Sequence, residues 1–207
     1  MDIINFKKEL NDILDNIDIN YKPNLFLHVC CAPCSSYVLE FLNQYFNIYI
    51  IFYNSNINTD IEFNKRLNEC YKLLDFKKYP FKIIYENYNH NEFINYISGF
   101  ENEPEGGRRC KKCFELRLKM TYDIAKDYIE KNNLNHNINY FTTTLTISPH
   151  KDAKIIYEIA KKYEDDKLKY LPADFKKNDG YLKSILISKE LGLYRQNFCG
   201  CEFSISK

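Results

Sequence analysis

The chain has 207 residues and a net charge of +1, and 45% of the residues are hydrophobic and 16% aromatic. This composition excludes a disordered chain, and the near-neutral charge gives no overall field that would attract nucleic acid. No apolar run approaches the ~20 residues of a membrane-spanning helix, and the N-terminal residues lack a signal-peptide pattern. We therefore predict a cytoplasmic protein without membrane contact. In that compartment, eight cysteines indicate metal or redox chemistry rather than structural disulfides.

Apolar periodicity and capping residues predict helices that alternate with short strands. In chain order these are a helix over 2–16, a strand over 25–29, a helix from 33, a strand over 47–53, a helix opened by the capping box at 59–62, a strand over 82–85, a short helix from 89, a long helix starting at 110 or 111, a strand over 140–144, a helix beginning at Ser148 and Pro149, a strand over 168–171 and a helix over 180–191. The alternation predicts an α/β fold with a mostly parallel sheet and helices on both faces. We treat 1–207 as a single α/β domain, in which 86–118 is a helical and loop insertion over the C-terminal edge of the sheet and 193–207 is a tail.

The first predicted strand ends on two adjacent cysteines, Cys30 and Cys31, and Pro33 fits the first turn of the helix that follows. Open α/β folds bind their ligands at this C-terminal edge of the sheet. Two adjacent thiolates repel each other unless a cation binds or one thiol stays protonated. Cys34 lies on the same helical face, so it is either a ligand of a second metal or a small buried residue.

Cys110 and Cys113 form a Cys-x-x-Cys motif at the start of a helix. The helix dipole and neighbouring cations should favour their thiolates. These cations are Arg108, Arg109, Lys111 and Lys112. The motif is typical of a metal site, a thiol redox pair or a coincidence. Together with Cys30 and Cys31 it would give four thiolates, which suit a tetrahedral zinc ion or a four-iron cluster, and adjacent ligands spread more easily over the larger cluster.

The tail carries Cys199-Gly200-Cys201, which is too tight for an ordinary disulfide. It indicates a redox switch or a pair of metal ligands. Cys70 follows the apolar pattern of a helix and is predicted to lie in the core.

Among the four histidines, His28 is predicted to be a hydrogen-bonded core residue and His150 to reach the ligand edge of the sheet. His90 and His136 lie in polar surroundings and are predicted to be at the surface. The segment 148–151 offers backbone N–H groups to an anion, or is a plain helix start.

Taken together, these motifs resemble those of the cobalamin-independent epoxyqueuosine reductases. The matching segments are His-Val-Cys-Cys-Ala-Pro at 28–33, Pro-Glu-Gly-Gly-Arg-Arg-Cys at 104–110 with Cys113 and Arg117, Ser-Pro-His-Lys at 148–151, Tyr-Arg-Gln at 194–196 and Phe-Cys-Gly-Cys at 198–201. Each motif is weak alone, but the ordered set spans 25–204 and is specific. The resemblance implies a Rossmann-like sheet related to the PP-loop or HUP-type nucleotide enzymes, with the Cys-Cys turn in place of their Ser-Gly-Gly-x-Asp-Ser loop.

The resemblance also implies an activity and a set of sites. The activity is the reduction of epoxyqueuosine to queuosine at wobble position 34 of tRNAs with GUN anticodons, with electrons from a donor that the sequence does not identify. Cys30, Cys31, Cys110 and Cys113 would hold a [4Fe–4S] cluster. Cys199 and Cys201 would be a redox-active pair, and Cys34 would be a candidate ligand for an additional iron or other metal ion.

We expect the substrate tRNA to contact basic residues near these motifs. The candidates are Arg108, Arg109, Lys111, Lys112, Arg117, His150 and Arg195. The splayed base would stack on an aromatic side chain such as Tyr53 or Phe114. For the basic group at 108–112, the alternative is a solvated helix start. Two alternatives to the reductase are a zinc-stabilised tRNA- or nucleotide-binding module and a general thiol–disulfide oxidoreductase.

Overall fold

The computed structural model describes residues 5–134 and 138–204 and has a five-stranded sheet at its centre. The strands are β1 (Asn24–His28), β2 (Asn47–Ile51), β3 (Lys82–Tyr85), β4 (Asn139–Thr143) and β5 (Leu168–Tyr170). Their order in the sheet is β3-β2-β1-β4-β5, and every neighbouring pair is parallel. The predicted α/β class with a Rossmann-like parallel sheet is confirmed.

Helices connect these strands. They are α1 (Phe6–Asp15), α2 (Ala32–Leu42), α3 (Asp60–Lys77), α4 (His90–Tyr96), α5 (Arg108–Lys131), α6 (Ala153–Ala160) and α7 (Gly180–Glu190), with 3-10 turns at Thr144–Ile147 and Glu202–Ser204. In the part of the chain that is described, no helix is both long and apolar enough to cross a membrane. The sequence explains the helix starts: the Thr59 hydroxyl accepts a hydrogen bond from the Glu62 N–H at 3.1 Å and caps α3.

Each face of the sheet buries its own hydrophobic core. Leu25 and Leu27 of β1 pack into one core with residues of α2 and α3, whereas Phe26 packs into the other with residues of α5 and α6. Side chains of a strand alternate between the two faces, so a continuous apolar strand fits a sheet that is covered on both sides. The predicted helices on both faces are thereby confirmed.

The strand order reverses at β1, which lies between β2 and β4. Parallel open sheets bind ligands outside the carboxyl ends of the strands at such a switch point. Here β1 ends at His28 and the chain turns at Cys30, whose backbone N–H donates to the Thr144 hydroxyl beyond β4 at 3.2 Å. The fold therefore places the Cys-Cys turn in the position where this architecture usually has its site.

Two predicted helix starts differ from the structure. The helix expected from Ser148 begins at Ala153, because the Asp152 carboxylate accepts from the Lys154 N–H at 2.8 Å and caps it. Residues 148–151 form a turn instead, closed by the Lys151 N–H on the Ser148 carbonyl at 3.2 Å. The long helix begins at Arg108 rather than at 110 or 111. The predictions for 2–4, His136 and 205–207 lie outside the described residues.

Candidate active site

Three cysteine sulfurs converge at the N-terminus of α2. The Sγ atoms of Cys30, Cys31 and Cys34, here called the sulfur triad, all lie within 4.8 Å of one another. The Sγ atoms of Cys30 and Cys31 are 3.9 Å apart. Two thiolates on one tetrahedral zinc ion would be about 3.8 Å apart, given bonds of about 2.3 Å. The triad can therefore hold a metal ion, and Cys34 belongs to it.

The three cysteines of the triad differ in the pKa of their thiol groups. Hydrogen bonds from the Cys31 and Cys34 thiols hold the pKa of Cys30 well below its ordinary value, and the charges of Arg117 and Lys151 add to the effect. Burial raises the pKa of Cys31 to about 12. Hydrogen bonds to Cys30 and Cys31, together with burial, raise the pKa of Cys34. The metal-free triad thus carries one thiolate held by two thiols, and a metal ion would displace the remaining protons.

Arg117 and His28 support the triad from inside the protein. Arg117 Nε donates to His28 Nε2 at 3.2 Å, and Arg117 Nη2 donates to Asn54 Oδ1 at 2.5 Å. The His28 proton is assigned to Nδ1, which lies 2.7 Å from the Thr143 hydroxyl. Burial and the charge of Arg117 lower the pKa of His28 to about 3, so His28 is neutral. His28 is the core residue that the sequence predicted, whereas Arg117 is only 4% exposed and does not fit the phosphate contact that we expected of it.

Cys110 and Cys113 lie in the first turns of α5, as the sequence predicted, but their ionisation differs from the prediction. Burial raises the pKa of Cys110, and it raises the pKa of Cys113 to about 11. The expected thiolates are therefore absent while no cation is bound, because the loss of water outweighs the nearby positive charges. Both cysteines line a small cavity of about 110 Å³ together with Cys199 and Cys201. Cys30 packs into the same core as these four residues.

The tail cysteines form an asymmetric pair. Their Sγ atoms are 3.8 Å apart, and the Ser204 hydroxyl lies 3.1 Å from Cys199 Sγ. The hydrogen bond from the Cys201 thiol lowers the pKa of Cys199 to about 5, whereas the bond to Cys199 and burial raise the pKa of Cys201. Cys199 is therefore a thiolate at neutral pH beside a protonated Cys201, which is the arrangement of a reactive dithiol.

Arg66 holds the backbone of this pair, and sequence reasoning did not assign it a role. Its guanidinium donates to the Cys199 carbonyl at 3.1 Å and to the Phe198 carbonyl at 3.4 Å. Its Nε donates to Glu62 Oε1 at 2.6 Å, and the side chain is 2% exposed. Arg66 lies in the middle of α3, far in sequence from any cysteine motif. The only available signal was its type, because arginine is scarce in this lysine-rich chain.

Further contacts fix the tail. The Asn58 N–H donates to the Gly200 carbonyl at 3.0 Å, and the Tyr194 N–H donates to Glu69 Oε2 at 2.7 Å. Arg109 donates to the Glu101 carbonyl at 2.7 Å and to the Phe203 carbonyl at 3.4 Å. With 3% of its surface exposed, Arg109 joins the 101–103 turn to the tail, and it does not fit the expected phosphate contact.

The other predicted substrate residues are accessible. Arg108 pairs with Glu103 on the surface, Lys111 is exposed, and Lys112 pairs with Glu115 at 3.0 Å. Arg195 is exposed, and its side chain has no hydrogen-bond or ion-pair partner among the described residues. The suggested stacking residues Tyr53 and Phe114 are buried, and the Tyr53 hydroxyl donates to Glu92 at 2.6 Å. Phe114 lines the smaller cavity.

A second, larger cavity of about 380 Å³ lies on the triad side of the site. Cys34, Tyr181 and Arg195 are among the residues that line it. Four residues line both cavities, and these are Glu105, His150, Lys151 and Cys199. The larger cavity therefore leads from the triad to the tail pair. His150 reaches this edge as predicted, although from the turn before α6 rather than from a helix.

Comparisons with known proteins agree with the arrangement of cysteines. A family model described as "Epoxyqueuosine reductase QueH" matches residues 25–207. The chain is 38% identical to the epoxyqueuosine reductase QueH of Staphylococcus epidermidis over 212 residues, covering 99% of this chain and 86% of the relative. It is 38% identical to that of Streptococcus pyogenes serotype M1, covering 88% and 71%, and 30% identical to that of Thermotoga maritima, covering 87% and 90%. With a family model that covers most of its length and relatives at this level of identity, the chain belongs to the epoxyqueuosine reductase QueH family.

Proposed function

We propose that this chain is an oxidoreductase that converts epoxyqueuosine to queuosine at the wobble position of tRNAs with GUN anticodons, in the cytoplasm. The observation that carries the proposal is the meeting of two thiolate centres at the switch point of the sheet. The sulfur triad and the tail pair both open onto the larger cavity, through Cys34 and Cys199. Family membership supports the choice of substrate.

The chemistry of this reduction matches the residues at the site. Reduction of the epoxide to the alkene breaks two C–O bonds, forms one C=C bond and releases water, so it consumes two electrons and two protons. Oxidation of Cys199 and Cys201 to a disulfide supplies the two electrons, and the S–H bond of Cys201 supplies one of the two protons. Because Cys199 is already a thiolate, the second proton comes from solvent water. The low pKa of Cys199 and the raised pKa of Cys201 provide one sulfur as the nucleophile and the other as a proton source. A separate electron donor then returns the pair to the dithiol.

The cysteines also fit an iron–sulfur cofactor by their donor chemistry. Cys30, Cys31, Cys110 and Cys113 would hold the [4Fe–4S] cluster, and Cys34 would add a ligand for an additional iron or other metal ion. The buried thiols of Cys31 and Cys113, with pKa values of about 12 and about 11, need such a cation before they ionise. A bound cluster supplies electrons singly.

The surface around the larger cavity supports binding of tRNA. Its volume of about 380 Å³ falls in the usual range for small-molecule sites, about 300–1,000 Å³, and is large enough for a modified base. Arg108, Lys111 and Lys112 at the start of α5, and Arg195 at the cavity, remain as phosphate contacts. Arg109 and Arg117 act within the protein instead.

The test is anaerobic reconstitution followed by nucleoside analysis. The chain is loaded with iron and sulfide, supplied with a reductant, and incubated with tRNA that carries epoxyqueuosine. We expect queuosine to form and a broad visible absorption that dithionite bleaches. A colourless protein with one tightly bound zinc ion, active in tRNA binding after Cys199→Ser and Cys201→Ser, would favour the binding module. Turnover of a model disulfide by metal-free protein, without conversion of epoxyqueuosine, would favour a general thiol oxidoreductase.

A further inference from the structure

Lys151 lies between the two sulfur centres. It closes the turn at 148–151, where its N–H donates to the Ser148 carbonyl and its carbonyl accepts from Lys176 Nζ at 3.5 Å. The side chain is half-buried and lines both the larger and the smaller cavity. The backbone of this residue is therefore fixed beside both cavities.

The ammonium group of Lys151 is not neutralised within the described residues. No carboxylate there lies within 4.0 Å of it, and no hydrogen bond of its side chain is found. The nearby carboxylates do not pair with Lys151. Asp152 caps α6 by accepting from the backbone N–H groups of Lys154 and Ile155, and Glu105 lines both cavities without forming an ion pair with Lys151. By contrast Lys176, its neighbour, pairs with Asp174 at 2.6 Å. A half-buried cation without a partner is a candidate for binding an anion.

Both sulfur centres are within reach of this charge. Lys151 lines the larger cavity together with Cys34 and Cys199, and it lines the smaller cavity together with Cys113 and Cys201. A cation whose field acts on both centres also acts on any group placed between them, and in a partly dehydrated cavity that field is stronger than in water.

A cation in this place would assist the reduction of an epoxide. Cleavage of the first C–O bond leaves negative charge on the oxygen, which stays attached to the second carbon until that bond breaks and water departs. A fixed hydrogen-bond donor aimed at the place where charge develops lowers the barrier of such a step.

Building on the proposed function, we propose that Lys151 is a catalytic residue whose ammonium group donates a hydrogen bond to the epoxide oxygen and stabilises the alkoxide formed by the first C–O cleavage. The two electrons come from the Cys199/Cys201 pair, which becomes a disulfide; the Cys201 thiol gives one proton and solvent water gives the other. Lys151 itself is neither consumed nor oxidised.

The test uses the reconstituted enzyme and compares Lys151→Met with Lys151→Arg. Lys154→Met is the matched control, because Lys154 lies three residues away on the exposed side of α6, 3.9 Å from Glu158. Turnover of epoxyqueuosine-tRNA, tRNA affinity and thermal unfolding are measured for each. The rate at which iodoacetamide alkylates Cys199 is measured in parallel by mass spectrometry of its peptide.

We expect Lys151→Met to lower kcat about 10²- to 10³-fold with little change in KM or tRNA affinity. This loss of kcat should exceed any loss in the alkylation rate of Cys199. Lys151→Arg should recover part of kcat, and Lys154→Met should behave as wild type. A higher KM with unchanged kcat would show a phosphate contact and overturn the proposal. So would a loss of turnover no larger than the loss of Cys199 alkylation, which would mean that Lys151 only holds the thiolate. Failure of the wild-type chain to convert epoxyqueuosine would instead reject the proposed function.

Discussion

Replacing Arg66 by methionine should release the backbone that carries Cys199 and Cys201. The substitution removes the guanidinium that bonds the Cys199 and Phe198 carbonyls and the Glu62 carboxylate. Methionine fills similar space but offers no donor. Two carbonyls and one carboxylate of the site then lose their partner.

The expected loss of stability follows from the burial of the ion pair between Arg66 and Glu62. Removing one member of a buried ion pair costs about 3–5 kcal/mol, since the other charge is left uncompensated. Glu62 is 16% exposed and keeps the Tyr194 hydroxyl at 3.2 Å, so we expect a value near the lower end, about 3 kcal/mol. In a chain of this length each kcal/mol lowers Tm by about 2–4 °C, which gives a fall of about 6–12 °C.

The assay is thermal unfolding of the reduced, metal-free chain, with alkylation of Cys201 as a local probe. Lys119→Met is the control, because Lys119 and Asp123 form a pair with the same helical spacing as Glu62 and Arg66, but both side chains are more than 40% exposed. Loss of this exposed ion pair should lower the free energy of unfolding by only about 0.3–0.5 kcal/mol. Arg66→Lys should recover part of the Tm but not the protection of Cys201, since an ammonium cannot span both carbonyls and the carboxylate. If Arg66→Met matched the control in Tm and left Cys201 protected, the assignment of Arg66 would be refuted.

Three further predictions concern the sulfur groups. Gly200 has a φ of +117°, and a Cβ there would lie 3.1 Å from an Arg66 guanidinium nitrogen; Gly200→Ala should therefore cost about 1–3 kcal/mol in thermal unfolding and slow turnover, and an unchanged Tm would contradict the strain. The pKa of Cys199 is about 5 because the Cys201 thiol donates to it, so its alkylation rate should be flat between pH 6 and 8 and fall below pH 5. Cys201→Ala should move that midpoint upward, and an unmoved midpoint would rule out the cause. Cys34→Ala should lower the metal content after anaerobic loading whereas Cys70→Ala, in the core of α3, should not; equal metal content in both would exclude Cys34 as a ligand.

The fold was predictable because its signals are local. Apolar runs such as 25–29 give the strands, and alternation with helices gives a parallel sheet, as the structure confirms. The start of α6 was not predictable, because Ser148 and Asp152 are both good capping residues and Pro149 suits a first turn. In the structure Asp152 caps α6, and its carboxylate accepts from two N–H groups of the helix. Local propensity does not decide between two adequate caps.

The candidate site was only partly predictable, because some of its properties depend on contacts between residues that are far apart in sequence. The positions of the cysteine motifs can be read from spacing, but the ionisation of Cys113 depends on burial that arises from packing of α5 against the sheet and the tail. The role of Arg66 depends on carbonyls 132 and 133 residues away in sequence. Backbone acceptors carry no sequence signature, so a guanidinium that binds them looks like any other surface cation.

The five arginines fall into a buried group of three and an exposed group of two. Three of them, Arg66, Arg109 and Arg117, are 2–4% exposed and bind carbonyls, an amide oxygen, a carboxylate or an imidazole. A planar fork with five donors can satisfy several fixed acceptors at once, which an ammonium group cannot do. Three of the five arginines therefore support the cysteine centres from inside the protein, whereas Arg108 and Arg195 are exposed. Lys151 lines both cavities and Arg195 lines the larger one, and neither side chain has a partner among the described residues, so these two are the cations at the cavities that we propose for contact with the substrate.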